Sequence, residues 1–332
     1  MKVSVLGAGS FGTALANVLG DKGYNVYLYA RRKELVDSIN QNQENIEYLK
    51  GYKLSENIKA TNHLEECLQN TKMIVLAIPT QNLSKFINEY RYLFPENIPI
   101  VCVAKGIEEH TLRLVSEILE EELPGKYQKY LCYLSGPSFA KEIIQRIPTL
   151  VSIASKNEEI AKQVQQYFYT SYFRTYWLDD VIGVEIGGAL KNVIAIACGV
   201  SDGLGLGHNT RAALITRGLA EIQRLGVKKG ANPMTFLGLT GLGDLVLTCT
   251  GELSRNRTVG FQLGKGKKLD EIIKELHQVA EGVYTARSAY DLSKKFDIEM
   301  PITESVYKML YENIPPNEIV KKLMQRELKK EF

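Results

Sequence analysis

The chain opens with a short apolar run, Val3-Ser4-Val5-Leu6. It breaks into Gly7-Ala8-Gly9-Ser10-Phe11-Gly12 and passes at once into Thr13-Ala14-Leu15-Ala16-Asn17-Val18-Leu19. A strand, glycines at G-x-G-x-x-G spacing and a small-residue helix, in that order, constrain the fold more than any other feature. Gly7 permits the tight strand-to-helix turn. Gly9 lets the backbone approach a pyrophosphate, and Gly12 lets the helix lie close on its strand. The helix N-terminus then offers N–H donors and a partial positive charge to phosphates. A plain βα turn uses the same glycines, but their place between a buried strand and a helix points to a dinucleotide site.

A second strand is read at Asn25-Val26-Tyr27-Leu28-Tyr29, where sides alternate with period two. At the end of such a strand a cofactor lacking a 2′-phosphate usually meets Asp or Glu. This chain has Ala30-Arg31-Arg32-Lys33 instead. Paired guanidiniums at Arg31 and Arg32 match a 2′-phosphate in charge and bidentate geometry, so NADPH is the expected cofactor and NADH a possible one. Solvated surface arginines would look the same in sequence.

Strand-like runs continue at Met73–Ile78, Ile100–Ala104, Leu131–Leu134, Thr149–Ala154 and Phe173–Trp177, with helical stretches such as Thr111–Glu122 between them. Strand and helix in alternation imply an α/β, Rossmann-like, doubly wound and mostly parallel sheet. From Val181 the pattern becomes helical, with Gly-rich joints at 203–207, 238–243 and 264–266. The expected division is therefore a dinucleotide-binding domain over 1–180 and a second, all-α, substrate-binding domain over 181–332. Val184–Val200 reads as a helix buried nearly all round. Asn209 or Thr210 is the expected cap of the next helix, which runs to Leu225.

Formal net charge is +3, from 41 basic and 38 acidic residues, which gives no reason to expect a nucleic-acid or membrane partner. The five cysteines lack C-x-x-C spacing and the four histidines lack metal-ligand spacing, so no metal is expected. No apolar run is expected to reach the length of a membrane span, and the opening strand leaves no room for a signal peptide. The expected location is the cytoplasm.

Ligands in open parallel sheets bind outside the carboxyl ends of the strands. Polar features stand at three such ends: Pro79-Thr80-Gln81-Asn82, Lys105-Gly106, and Ser135-Gly136-Pro137-Ser138-Phe139-Ala140. Lys191 is a cation in an otherwise apolar helix, beside Asn192. Desolvation would lower its pKa and make it a general acid/base, though a buried ion pair or a snorkelling lysine fits the same pattern. Asp244 and Thr248 share a face if Gly243–Thr248 is helical. Ser254-Arg255-Asn256-Arg257 offers either a phosphate site or an ordinary helix cap. Glu281, within Val279-Ala280-Glu281-Gly282, is a lone carboxylate among small residues.

Taken together, the segments 7–16, Lys105-Gly106, Ser135–Ala140, Glu185–Ala195, Gly243–Leu245, Thr248, Ser254–Arg257 and Val279–Gly282 closely resemble the bacterial NAD(P)-dependent glycerol-3-phosphate dehydrogenases. Phe11 stands where that family often has Trp or Tyr. The resemblance implies reversible reduction of dihydroxyacetone phosphate to sn-glycerol 3-phosphate for phospholipid synthesis, by a cytoplasmic homodimer. It implies that Lys191 is the proton donor and acceptor, with Lys105 and Asp244 beside it in the catalytic site. Gly136, Ser138, Asn192, Thr248, Ser254, Arg255 and Asn256 would complete the substrate site. Gly7, Gly9, Ser10, Phe11, Gly12, Arg31, Arg32, Lys105, Ala140, Arg255, Val279 and Glu281 would touch the cofactor. Another two-domain dehydrogenase, acting on a hydroxy acid or ketopantoate, or a non-catalytic NADPH sensor are the alternative readings.

Overall fold

A computed structural model describes residues 1–276, 279–328 and 330–331. Its strands are β1 (Lys2–Leu6), β2 (Asn25–Tyr29), β3 (Ile58–Thr61), β4 (Ile74–Leu76), β5 (Ile100–Cys102), β6 (Leu131–Ser135), β7 (Thr149–Ala154) and β8 (Phe173–Leu178). They form one sheet in the order β3-β2-β1-β4-β5-β6-β7-β8. Pairing is parallel throughout except between β6 and β7. Strands covered on both faces read as continuous apolar runs, which is why β1, β4 and β5 are legible in sequence. Val3, Val5, Val75 and Val101 pack on one face, and Leu6, Ile74, Leu76, Ile100 and Cys102 on the other.

The strand β3 has no counterpart in the sequence reading. Its four residues, Ile-Lys-Ala-Thr, include one lysine and one alanine, and pairing with β2 decides their conformation. Strand order reverses between β1 and β4, so a crevice opens at the carboxyl ends of those two strands. The glycine turn lies there, leading into helix α1 (Ser10–Asp21).

Helix α2 (Val115–Glu122) starts later than the expected Thr111. His110 and Leu112 have φ of 66° and 61°, a left-handed backbone that no helix continues.

Among the described residues no strand follows Leu178. The central element of the C-terminal half is α3 (Val181–Gly203). By length and composition it is apolar enough to cross a membrane, which corrects the expectation that no run reaches that length; yet 94% of that window is buried inside the molecule. Around it lie α4 (Gly207–Lys228), α5 (Asp244–Thr250), α6 (Arg255–Gly264) and α7 (Glu281–Lys295). Neither Asn209 nor Thr210 caps α4. The helix begins at Gly207, and the Thr210 hydroxyl donates back to the Leu206 carbonyl at 3.1 Å.

Small residues let α3 and α6 pack almost backbone to backbone. A Cβ on Gly199 would stand 2.1 Å from the Arg257 carbonyl oxygen, and one on Gly260 would stand 2.0 Å from that of Ile196. This close approach brings the first turn of α6 beside Asn192.

Candidate active site

The glycine turn has the geometry its spacing predicts. Gly7 has φ +117°, and a Cβ there would stand 2.4 Å from the Ala77 carbonyl oxygen. A Cβ on Gly12 would lie 2.0 Å from the Gly7 carbonyl oxygen, so only glycine lets α1 sit this close to β1. Gly9 differs, since a Cβ there would meet nothing within 4 Å. Gly9 is also the N-cap of α1, and its lack of a side chain leaves the helix end open toward the crevice. Bare backbone donors beside open space fit a dinucleotide pyrophosphate.

Across the crevice, one carboxylate holds two ammonium groups. Lys191 Nζ donates to Asp244 Oδ1 at 2.8 Å and to Thr248 Oγ1 at 2.8 Å. Lys105 Nζ donates to Asp244 Oδ2 at 2.8 Å and to the Gly136 carbonyl oxygen at 3.0 Å. Lys105 follows β5, Lys191 lies on α3, and Asp244 opens α5 after a single π-type turn at Leu239–Gly243. That turn crosses α3 at Gly187, where a Cβ would be 2.7 Å from the Thr240 carbonyl oxygen. Such turns often mark functional sites. Asp244 and Thr248 do share a helix face, and the Thr248 hydroxyl also donates to the Asp244 carbonyl at 2.6 Å.

Burial pushes the Lys191 ammonium down to about 8; Asp244 opposes that shift, while Lys105 adds to it. Desolvation therefore outweighs the carboxylate, a balance that sequence leaves open. Lys105 Nζ also lies 5.6 Å from the centroid of the Phe11 ring, joining the glycine turn to the lysine pair.

The remaining expected residues divide by what engages them. Gly136 has φ +136°, and its carbonyl also accepts from the Ser138 hydroxyl at 2.8 Å. Ser254 caps α6 by accepting from Arg257 N at 3.2 Å. Asn192 Nδ2 donates to the Lys105 carbonyl at 3.2 Å, and its Oδ1 accepts from Asn256 Nδ2 at 2.8 Å. Asn256 Oδ1 accepts in turn from Gly282 N at 3.0 Å. The two amides thus link the loop after β5 with α3, α6 and α7.

Arg255 stays solvent-exposed, yet crowding by protein lowers its pKa, and Glu281 opposes that shift. Glu281 accepts from Thr80 N at 3.1 Å, and burial pushes its carboxyl up to about 7. The sequence reading gives Thr80 no partner; its place after Pro79 at the end of β4 was the available signal. Ser10 Oγ donates to the Tyr48 carbonyl at 3.3 Å. Ala140 is half-buried against the core, and Val279 is exposed. Arg31 is exposed, whereas Arg32 pairs with Glu47.

A doubly wound sheet with a glycine turn at its switch point, facing a helical half that contributes a buried lysine, defines a two-domain nicotinamide-dinucleotide oxidoreductase. The family model described as NAD-dependent glycerol-3-phosphate dehydrogenase N-terminus matches residues 2–161, and the corresponding C-terminus model matches residues 180–321. The chain belongs to the NAD-dependent glycerol-3-phosphate dehydrogenase family. It is 57% identical to glycerol-3-phosphate dehydrogenase [NAD(P)+] of Leptospira biflexa, covering 100% of this chain and 99% of that one. It is 52% identical to the Myxococcus xanthus enzyme of the same name over 100% of this chain and 99% of the relative. The crystal structure of glycerol-3-phosphate dehydrogenase from Coxiella burnetii superposes with a TM-score of 0.92 at 39% identity, covering 98% of this chain and 99% of that one.

Proposed function

We propose that this protein reversibly reduces dihydroxyacetone phosphate to sn-glycerol 3-phosphate, using NADPH in preference to NADH, for phospholipid synthesis in the cytoplasm. The observation that carries the reading is the Asp244 carboxylate, which holds Lys191 and Lys105 side by side opposite the glycine turn. In this reading residues 1–180 bind the cofactor, residues 181–332 supply the substrate site, and the active form is a homodimer.

The bound nicotinamide supplies a hydride to the carbonyl carbon. The chain supplies the proton, the charge and the alignment. As the carbonyl oxygen gains negative charge, Lys191 gives it a proton and completes the alcohol; the neutral amine then recovers a proton from solvent. A lysine held near 8 still carries its proton at neutral pH yet gives it up, and regains it from solvent, more readily than an ordinary lysine. Lys105 stabilises the developing charge without giving up a proton. Asp244 aims both ammonium groups, and Thr248, one helical turn along the same face, gives the Lys191 ammonium a second acceptor.

Arg255, Ser254 and Asn256 at the first turn of α6 receive the substrate phosphate, where helix donors and a guanidinium converge. Binding energy from that remote group holds the carbonyl in place for reaction. Arg31 meets the 2′-phosphate. Arg32, tied to Glu47, takes a lesser part.

The deciding experiment follows NADPH absorbance with dihydroxyacetone phosphate and again with unphosphorylated dihydroxyacetone. Turnover with the first and almost none with the second is expected. Equal turnover, or turnover only with a hydroxy-acid or ketopantoate-type substrate, overturns the assignment.

A further inference from the structure

Helix α2 (Val115–Glu122) supplies only part of its own cap. Its N-cap position is Leu114, whose side chain has no acceptor, and the Leu114 N–H is satisfied by Glu117 Oε2 at 2.6 Å. Ser116, in the first turn, is met from the other half of the molecule. Glu185, buried on α3, accepts from Ser116 N at 2.6 Å through Oε1 and from Ser116 Oγ at 2.6 Å through Oε2. A carboxylate on first-turn donors is what a helix N-terminus favours, but it normally comes from the adjoining residues.

The segment capped in this way leaves β5, carries Lys105 and ends at Ser116. It is tied to the helical half along its length. Asn192 Nδ2 holds the Lys105 carbonyl, and the Ser288 hydroxyl donates to the carbonyls of Ile107 and Glu108 at 3.2 and 3.3 Å. Between these ties Leu112 sits at φ 61°, a conformation that a bulky side chain keeps only when its surroundings impose it.

Glu185, Gly188 and Asn192 stand at i, i+3 and i+7, on one face of α3. Gly188 belongs to that face, since a Cβ there would stand 2.6 Å from Ser135 Oγ on β6. Lys191 projects beside this face toward Asp244. The ends of the Lys105 segment and the backbone of Lys191 are thus fixed to one rigid helix.

We propose that Glu185 is a positioning residue of the reaction: a helix cap supplied across the two halves, which sets where Lys105 stands relative to Lys191. A carboxyl with both oxygens engaged in this way can be replaced by an amide, which still accepts from the Ser116 N–H. Burial pushes Glu185 up to about 8, so its neutral form is already accessible near neutrality. The proposal rests on the reductase reading above, which wild-type turnover tests separately.

The test compares E185L, E185Q and S116A with wild type by kcat, KM for dihydroxyacetone phosphate, equilibrium NADPH affinity and the alkaline limb of the kcat profile. E185L is expected to keep NADPH affinity within about twofold, to lose at least about tenfold in kcat and to move the alkaline limb, because a shift near 1 Å is costly. E185Q should return kcat to within about threefold of wild type, since the amide preserves the cap. Wild-type kcat and an unmoved limb in E185L overturn the proposal, as does an E185Q enzyme that folds and is as impaired as E185L. Should E185L fail to fold, S116A decides: a kcat severalfold lower with unchanged KM supports the cap, and wild-type kcat overturns it. A wild-type enzyme inert toward dihydroxyacetone phosphate overturns the reaction itself.

Discussion

Lys191 and Lys105, from opposite halves of the molecule, each donate at 2.8 Å to a different oxygen of Asp244. Two cations in a confined site repel one another, and the shared carboxylate offsets that repulsion while leaving both ammonium groups directed at the same place. In the proposed reaction the arrangement would couple proton transfer by Lys191 to electrostatic stabilisation by Lys105, and its consequences can be measured.

Lys191→Ala should lower kcat for reduction by about 10²- to 10⁴-fold while NADPH binding survives, the range expected for loss of a general acid. In wild type, reduction needs the protonated lysine, so kcat should fall as pH rises past about 8, and alcohol oxidation should rise through the same range. Steady-state pH profiles in both directions check this; near-wild-type turnover in the variant removes the proton-transfer role.

Asp244→Asn leaves two ammonium groups facing a neutral amide in a buried site. Removing one partner of a buried ion pair costs about 3–5 kcal/mol of stability. Because Asp244 raises the Lys191 pKa, its loss should also move the alkaline limb to lower pH. Chemical denaturation and the kcat profile measure the two effects, and a limb shifted upward would contradict the assignment.

Arg255→Ala should raise KM for dihydroxyacetone phosphate by about 10- to 100-fold, the scale of a charge-assisted hydrogen bond, with little change in the weak turnover of dihydroxyacetone. An unchanged KM excludes the phosphate role.

Arg31→Ala should raise KM for NADPH and leave KM for NADH nearly untouched. Arg32→Ala should do less, because Glu47 already engages that guanidinium. Equal losses with both cofactors would count against recognition of the 2′-phosphate.

Stability of the protein without cofactor should fall as pH rises from about 5 to 8. Glu281 and Glu185 are pushed up from 4.5 to about 7 and about 8, so in that window the folded state binds more protons than the unfolded state. Lys191, lowered from 10.5 to about 8, acts in the next window with the opposite sign, but from about pH 9 the buried thiols of Cys67, Cys102 and Cys132, pushed up from 9 to about 12, oppose it. Thermal melts across pH should show the fall, and E185Q and E281Q should flatten it; a rise between pH 5 and 8 would contradict the burial of both carboxyls.

What the sequence determined by itself is whatever short-range periodicity encodes. The glycine turn, β2 over its full length, the alternation of strand and helix, Lys191 as a cation in an apolar helix, and the shared face of Asp244 and Thr248 were all legible, because strand, helix and turn impose local spacing. Tertiary structure decided the rest. β3 is a strand because β2 offers it partners, and α4 starts at Gly207 because Gly205 and Gly207, at φ 75° and 80°, allow a turn that no capping side chain marks. That Asn192 and Asn256 bond each other, that Glu47 takes Arg32, and that Glu185 caps a helix in the opposite half depend on contacts between distant segments. Such contacts leave no trace in residue spacing, since a hydrogen bond across two halves is set by where the halves meet.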